Sequence, residues 1–266
     1  MAYTIKSKVM RCILISSISL FLTSCSNENP MIEKSENLVV IDAGHGGKDA
    51  GAVCKGKYEK DAVLGIVTKL KTTFLEKGYR VYLTRGEDNF LTLAERTHIA
   101  DKMNADVFIS VHANAIANKG NFEKVEGIET YFLQKTRDSR SQRIATKENA
   151  AVLQGTDSLS KNVIIDSVLN GPKIIESNKL AIDVQKNIMQ TIHTEYKDVK
   201  NGGVKPAPFY VLVGASRPSI LVETGYITNT KERDRLFNSN YQEKMAQGIV
   251  AGVSKYLENR RKEVGF

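Results

Sequence analysis

Apolar residues along this chain fall into short unbroken runs and into stripes that repeat every three to four positions, a pattern that predicts strands interleaved with helices. Residues 38–42 are an apolar run that ends close to Gly44, Gly46 and Gly47 and reads as a buried strand entering a tight loop. Across 61–77, Val63, Ile66, Val67, Leu70 and Phe74 recur at helical spacing, and Gly78 supplies a C-terminal stop. Residues 80–84 alternate as a strand. Thr92 and Glu95 have the spacing of a capping box for a helix running to Met103, and 107–111 is the next apolar strand.

Residues 127–133 resemble a further strand, after which 134–176 turn polar and irregular and read as an insertion. Periodicity returns at 178–196, where Leu180, Val184, Ile188 and Ile192 repeat every four positions. Short strands are expected at 209–213 and 219–222, followed by helices at 231–237 and 241–261. This interleaving predicts a single α/β domain with a largely parallel or mixed central sheet covered by helices on both faces.

The amino end follows a different pattern. Lys6, Lys8 and Arg11 precede an apolar run that is too short and too rich in serine for a spanning helix, so 1–24 reads as an export signal. It closes with Leu22, Thr23, Ser24 and Cys25, which resembles the lipobox of bacterial lipoproteins and makes Cys25 the expected lipidation site. Residues 25–36 then read as a flexible polar tether, and 37–266 as the folded domain with its insertion around 134–176. The expected protein is exported and membrane-anchored, facing the periplasm or the cell exterior.

Removing the signal leaves 266 − 24 = 242 residues and lowers the net charge from +8 to 8 − 3 = +5. That excess, like the closing Arg260-Arg261-Lys262, fits a solvated lysine-rich surface, and no nucleic-acid partner is expected. Of three cysteines only Cys54 lies in the domain, so there is no disulfide framework and Cys54 reads as an ordinary thiol.

The candidate chemistry gathers at strand ends. His45 follows the first strand, His112 the third, and Glu223 the strand at 219–222, while Glu59 precedes the first helix. In open α/β sheets the loops beyond the strands' carboxyl ends build the ligand site, so these side chains can converge. Two imidazoles and one carboxylate make an open zinc site. The loop Gly44-His45-Gly46-Gly47 could instead cradle phosphate, but it lacks the Lys and Ser/Thr of a P-loop. His98 and His193 read as surface or edge residues, and Asn114 and Glu129 as candidate supporting groups.

Five segments, VVIDAGHGGKDAGAV (39–53), YEKD (58–61), FISVHANA (108–115), GIETYFL (127–133) and ILVETGYITN (220–229), resemble in order the motifs of the zinc-dependent N-acetylmuramoyl-L-alanine amidases. The resemblance implies that His45, Glu59 and His112 bind Zn2+ and that Glu223 is the catalytic carboxylate. It implies peptidoglycan as substrate, hydrolysed at the amide between N-acetylmuramic acid and L-alanine. Segments around Arg85 and Arg96 also resemble the family, with structural roles expected. Some family members are restrained by an insertion at a comparable place, so two expectations stay open for 134–176: that part of it shields the site or docks a regulatory protein, or that it is a passive surface excursion. Two alternatives stay open: a zinc peptidase acting on stem peptides, and a non-catalytic wall-binding lipoprotein.

Overall fold

The computed structural model describes residues 37–153 and 171–265. The expected signal, Cys25 and the tether lie outside the described residues, as does 154–170 of the expected insertion. Eight strands occur among the described residues: β1 (Leu38–Ala43), β2 (Val53–Cys54), β3 (Lys57–Tyr58), β4 (Arg80–Leu83), β5 (Val107–Asn114), β6 (Ile128–Leu133), β7 (Asn201–Ala207) and β8 (Ser219–Tyr226). Six of them form one sheet in the order β4-β1-β5-β8-β6-β7. Pairing is parallel from β4 through β8, antiparallel between β8 and β6, and parallel again between β6 and β7, so the sheet is mixed. The chain moves outward from β1 to β4 and then returns to place β5 on the other side of β1. The carboxyl ends of β1 and β5 therefore flank a topological switch point, the usual place for a ligand crevice.

Six helices accompany the sheet among the described residues: α1 (Glu59–Glu76), α2 (Leu93–Lys102), α3 (Ser139–Leu153), α4 (Pro172–Ile192), α5 (Thr230–Leu236) and α6 (Ser239–Glu263). α1, α4 and α6 cover one face, packing on Ile109, Val111, Ala113, Ile220 and Val222. α2 and α3 belong to the other, with Val40, Phe108, Tyr131 and Leu221. α4 and α6 meet at backbone distance, since a Cβ at Gly252 would stand 2.4 Å from the Val184 Cα. Each fully buried aromatic or aliphatic side chain in these layers contributes about 1.5–3 kcal/mol. No described helix is long and apolar enough to cross a membrane.

Two sequence expectations need correction. Residues 209–213 are not a strand: Tyr210–Leu212 is a 3-10 turn, and the strand of this region is β7, just upstream. Asn201, Gly202, Gly203 and Pro206 disguise β7, yet it lies at the sheet edge, where glycine and proline are tolerated. Within the supposedly irregular 134–176, residues 139–153 form α3, with the Asp138 carboxylate accepting from the Ser141 N–H at 2.7 Å. β5 and β8 also run further than expected, so His112 and Glu223 lie inside strands.

Candidate metal centre

His45 sits in a loop that the backbone alone would not hold. Its φ is +58°, a left-handed conformation uncommon for a residue with a Cβ. Two buried arginines clamp the loop through its carbonyls. Arg85 donates to Ala43 O at 2.9 Å and Gly44 O at 2.7 Å, and Arg96 to Ala43 O at 2.6 Å and His45 O at 2.8 Å. Arg96 is itself paired with buried Asp42 at 2.8 Å, whose carboxylate also accepts from Thr84 and Ser110, each at 2.7 Å. Burial alone would raise the Asp42 pKa, but the Arg96 charge and these hydrogen bonds outweigh it and hold it below the ordinary value. The structural roles expected around Arg85 and Arg96 thus amount to holding the His45 backbone.

Glu59 is the first residue of α1 and fully buried. The β2–β3 hairpin delivers it through a two-residue turn, Lys55-Gly56, with φ of +51° and +74°. Its Oε2 accepts from the Ala52 N–H at 2.8 Å and its Oε1 from the Ala113 N–H at 3.0 Å. His112 projects from β5 against Gly44, where a Cβ would stand 2.5 Å from the imidazole Nε2. Gly44 therefore leaves the space that the ring fills.

These elements bring together the three expected ligands. His45 Nε2 lies 3.1 Å and His112 Nδ1 3.2 Å from Glu59 Oε1, and the two rings meet edge to face at 4.8 Å. On its far side His45 Nδ1 contacts Asp49 Oδ2 at 2.9 Å, a partner that orients the ring with Nε2 toward Glu59. A fourth donor was missed by sequence reasoning. Glu148 of α3 places Oε2 3.1 Å from His45 Nε2 and 3.3 Å from His112 Nδ1. Donor atoms of His45, Glu59, His112 and Glu148 all lie within 4.8 Å of one another. Lys147 adds a cation 3.2 Å from Glu148 and 4.0 Å from Glu59.

Hydrogen bonds leave part of this cluster unsatisfied: His45 Nε2 and Glu148 Oε2 are buried and have none. Orphaned nitrogen and oxygen donors facing one point fit a metal ion, and a mixed imidazole and carboxylate set suits zinc. Burial alone would lower the His45 pKa, but the Glu59 charge and the Asp49 hydrogen bond carry it well above its ordinary value. For His112 the facing carboxylates of Glu148 and Glu59 outweigh burial and raise the pKa to about 9. These shifts measure how much negative charge faces the two rings.

Glu223 stands beside the cluster, its Cα paired with that of His112 across β5 and β8. It is fully buried and neither carboxylate oxygen has a hydrogen-bond partner. Burial first, then the negative charge of Glu148 and Glu59, pushes its pKa well above the ordinary carboxylate value, against the opposing pull of His112. A carboxyl group with a raised pKa at a reactive centre can hold and release a proton near neutral pH. His98 is exposed, and His193 bonds its own loop at Val199 O, 2.9 Å away, so neither joins the site. Cys54 is buried and reduced, touched by Arg233 at 3.5 Å.

The chain is similar to known proteins over most of its length. The family model described as N-acetylmuramoyl-L-alanine amidase matches residues 39–255. The chain is 31% identical to the N-acetylmuramoyl-L-alanine amidase AmiA of Escherichia coli over 91% of its own length and 84% of that protein. Among solved structures, the N-acetylmuramoyl-L-alanine amidase of Clostridium difficile 630 is similar with a TM-score of 0.64 and 30% identity, covering 84% of this chain and 98% of that one. The CwlD amidase of Clostridioides difficile, solved in complex with the GerS lipoprotein, has a TM-score of 0.62 and 28% identity over 84% of this chain and 99% of that one.

Proposed function

The chain belongs to the N-acetylmuramoyl-L-alanine amidase family, and from that premise we propose a zinc-dependent peptidoglycan amidase whose metal is held by His45, Glu59 and His112 and whose proton-transfer group is Glu223. The observation that carries this reading is the convergence of three buried donors beside a buried carboxylate with no hydrogen bond of its own. Zinc would supply Lewis acidity there, polarising the scissile carbonyl and lowering the pKa of a water to about 7. The protein's own residues do the rest. Glu223 takes the proton of the attacking water on a carboxylate oxygen and passes it to the departing L-alanine nitrogen. Asp49 fixes the His45 ring, and the Ala52 and Ala113 N–H groups fix Glu59.

Family membership sets aside the peptidase alternative, which would cut between amino acids and not between muramic acid and L-alanine. Digestion of purified peptidoglycan, with the new termini identified by mass spectrometry, tests the bond cleaved. Loss of activity on chelation and its return with zinc tests metal dependence and the non-catalytic wall-binding alternative together.

The position of Glu148 supports a further reading, in which α3 closes the site. Glu148 takes a place beside His45 and His112 that a catalytic zinc would leave to water or substrate. α3 accordingly reads as a plug within the 134–176 insertion, withdrawn before peptidoglycan enters. A regulatory protein that docks on this insertion would shift the balance, and the complex of the CwlD amidase with a lipoprotein offers a precedent for protein partners in the family. Cys25, after its lipobox-like run, would anchor the enzyme to a membrane through an acyl chain, facing the periplasm or the cell exterior. Replacing Cys25 with Ala should abolish acyl incorporation, and a persistent acyl label would refute the anchor.

A further inference from the structure

The row of the sheet that carries His112 and Glu223 continues one strand further. Glu129 of β6 pairs in register with Glu223 of β8, which pairs with His112 of β5, so the three project in sequence from the face that α2 and α3 cover. Neighbouring strands are about 4.8 Å apart. Glu129 therefore stands roughly two strand spacings, about 10 Å, from the metal ligand and one from the proton-transfer group.

Glu129 is fully buried and held from several sides. Its Oε2 accepts from the Tyr131 hydroxyl at 2.7 Å and the Tyr226 hydroxyl at 3.1 Å, and Lys205 of β7 reaches Oε1 at 2.6 Å. Gly202 makes room for it, since a Cβ there would stand 2.2 Å from Glu129 Cγ. Although Lys205 already balances its charge, Glu129 receives a second cation. Arg140 of α3 brings Nη2 to 2.9 Å from the same Oε1, donates to the Tyr226 hydroxyl, and lies over the Tyr226 ring with its guanidinium carbon 5.5 Å from the centroid. A carboxylate oxygen beside an aromatic face is a receptor for a cation, combining a charge-assisted hydrogen bond with cation–π attraction.

Arg140 and Glu148 are 148 − 140 = 8 residues apart on α3, about two turns and 12 Å along one side of the helix. The helix thus lays a carboxylate on the metal cluster and a guanidinium on Glu129, spanning the row with two opposite charges. A groove of about 630 Å³ opens beside it, lined in part by Ile116, Val125, Arg140 and Arg143. Withdrawal of α3 would leave the Glu129 position vacant on the same surface as the reacting centre.

We propose that Glu129 and the face of Tyr226 form a cation subsite that binds an amine on the peptide part of the substrate, and that Arg140 fills this subsite as a stand-in while α3 is closed. The proposal rests on the reading of α3 as a removable plug. By strand spacing Glu129 stands roughly 10 Å from His112, so the amine sits on a side chain a few residues along the stem peptide from the scissile bond. The ligand class is therefore a stem peptide that carries a free side-chain amine.

The test uses full-length, zinc-loaded protein and two soluble muropeptides that differ only in whether that side-chain amine is free or N-acetylated. In a Glu148→Ala background kcat/KM should favour the free amine about tenfold, the scale of one charge-assisted contact. Adding Glu129→Gln should lower the free-amine value to that of the acetylated substrate, with the loss expressed in KM and not in kcat. Tyr226→Leu should shrink the preference in the same direction. Equal values for both substrates in the Glu148→Ala protein would overturn the subsite without reference to any Glu129 variant, and a preference that survives Glu129→Gln in folded, zinc-loaded protein would overturn its assignment. Failure of the plug reading shows separately: turnover of both substrates would not rise in Glu148→Ala over the wild type, which removes the basis for treating Arg140 as a stand-in.

Discussion

Two helices bring a glutamate to the same point, and they hold it differently. α1 places Glu59 at its first residue, where backbone N–H groups of Ala52 and Ala113 fix both carboxylate oxygens. Behind it Ala62, Val63, Ile66, Val67, Leu70 and Phe74 are all buried in the larger of the two core layers. α3 places Glu148 in the cluster with Oε2 lacking any hydrogen bond, and of its described apolar side chains only Ile144 and Ala145 join the core. Its other attachments are polar: Arg140 on Glu129, and Asn149 bridging Pro208 O and Tyr210 N at 2.9 and 2.8 Å. Hydrogen bonds broken when α3 opens are replaced by bonds to water at small net cost, whereas water offers no such replacement for the apolar burial of α1. Glu59 thus has the setting of a permanent ligand and Glu148 that of a displaceable one.

Removing the permanent side of this pair should have the largest effect. His45→Ala, His112→Ala or Glu59→Ala should each lose most bound zinc and bring hydrolysis below detection, because an open zinc site needs its three protein ligands. Metal analysis of the purified variants checks this, and full zinc occupancy in any of them would exclude that residue as an essential ligand.

Glu223→Gln separates binding from catalysis. The amide keeps the shape but cannot accept a proton, so turnover should fall by roughly 10²-fold or more while zinc and fold are retained. Zinc content, thermal unfolding and release of L-alanine-terminated peptides, measured on one preparation, decide it. Near-normal turnover in folded, zinc-loaded protein would reduce Glu223 to a structural residue.

The displaceable side should respond in the opposite direction. Glu148→Ala should keep zinc and raise turnover about tenfold, the gain expected if closure is favoured by about 1.4 kcal/mol. Asn149→Ala removes the two tethers of α3 to Pro208 and Tyr210 and should raise turnover by about threefold, consistent with a net loss of roughly 0.5–1.5 kcal/mol. Steady-state rates on one peptidoglycan preparation order the two variants. A fall in either would mean that α3 supports catalysis instead of obstructing it.

The contrast also explains what could be read from the sequence. His45, His112 and Glu223 are legible because each follows an apolar strand run, and in β5 the alternate positions Phe108, Ser110, His112 and Asn114 turn from apolar to polar along one face of the sheet. Glu59 was legible from its place before a strongly periodic helix. Its means of delivery, the two-residue Lys55-Gly56 turn, carries no Asn-Gly or Asp-Gly signal and joins strands of only two residues each, so the sequence does not mark it. Glu148 could not be picked out, because α3 is a mostly polar segment with a narrow apolar contact and its glutamate resembles any solvated one. Likewise 209–213 misled because an apolar run of that length fits a strand, whereas here it turns to bury Val211 and Leu212 beside α2 and α3.

The rate at which L-alanine-terminated peptides leave purified peptidoglycan, compared between wild type, Glu148→Ala and the double variant Glu148→Ala/Glu223→Gln at equal zinc occupancy, tests the displaceable plug and the proton-transfer group most directly. Release should be faster from Glu148→Ala than from wild type, and should drop roughly 10²-fold or more when Glu223→Gln is added. Equal release from wild type and Glu148→Ala, or a double variant as fast as the single one, would contradict this mechanism.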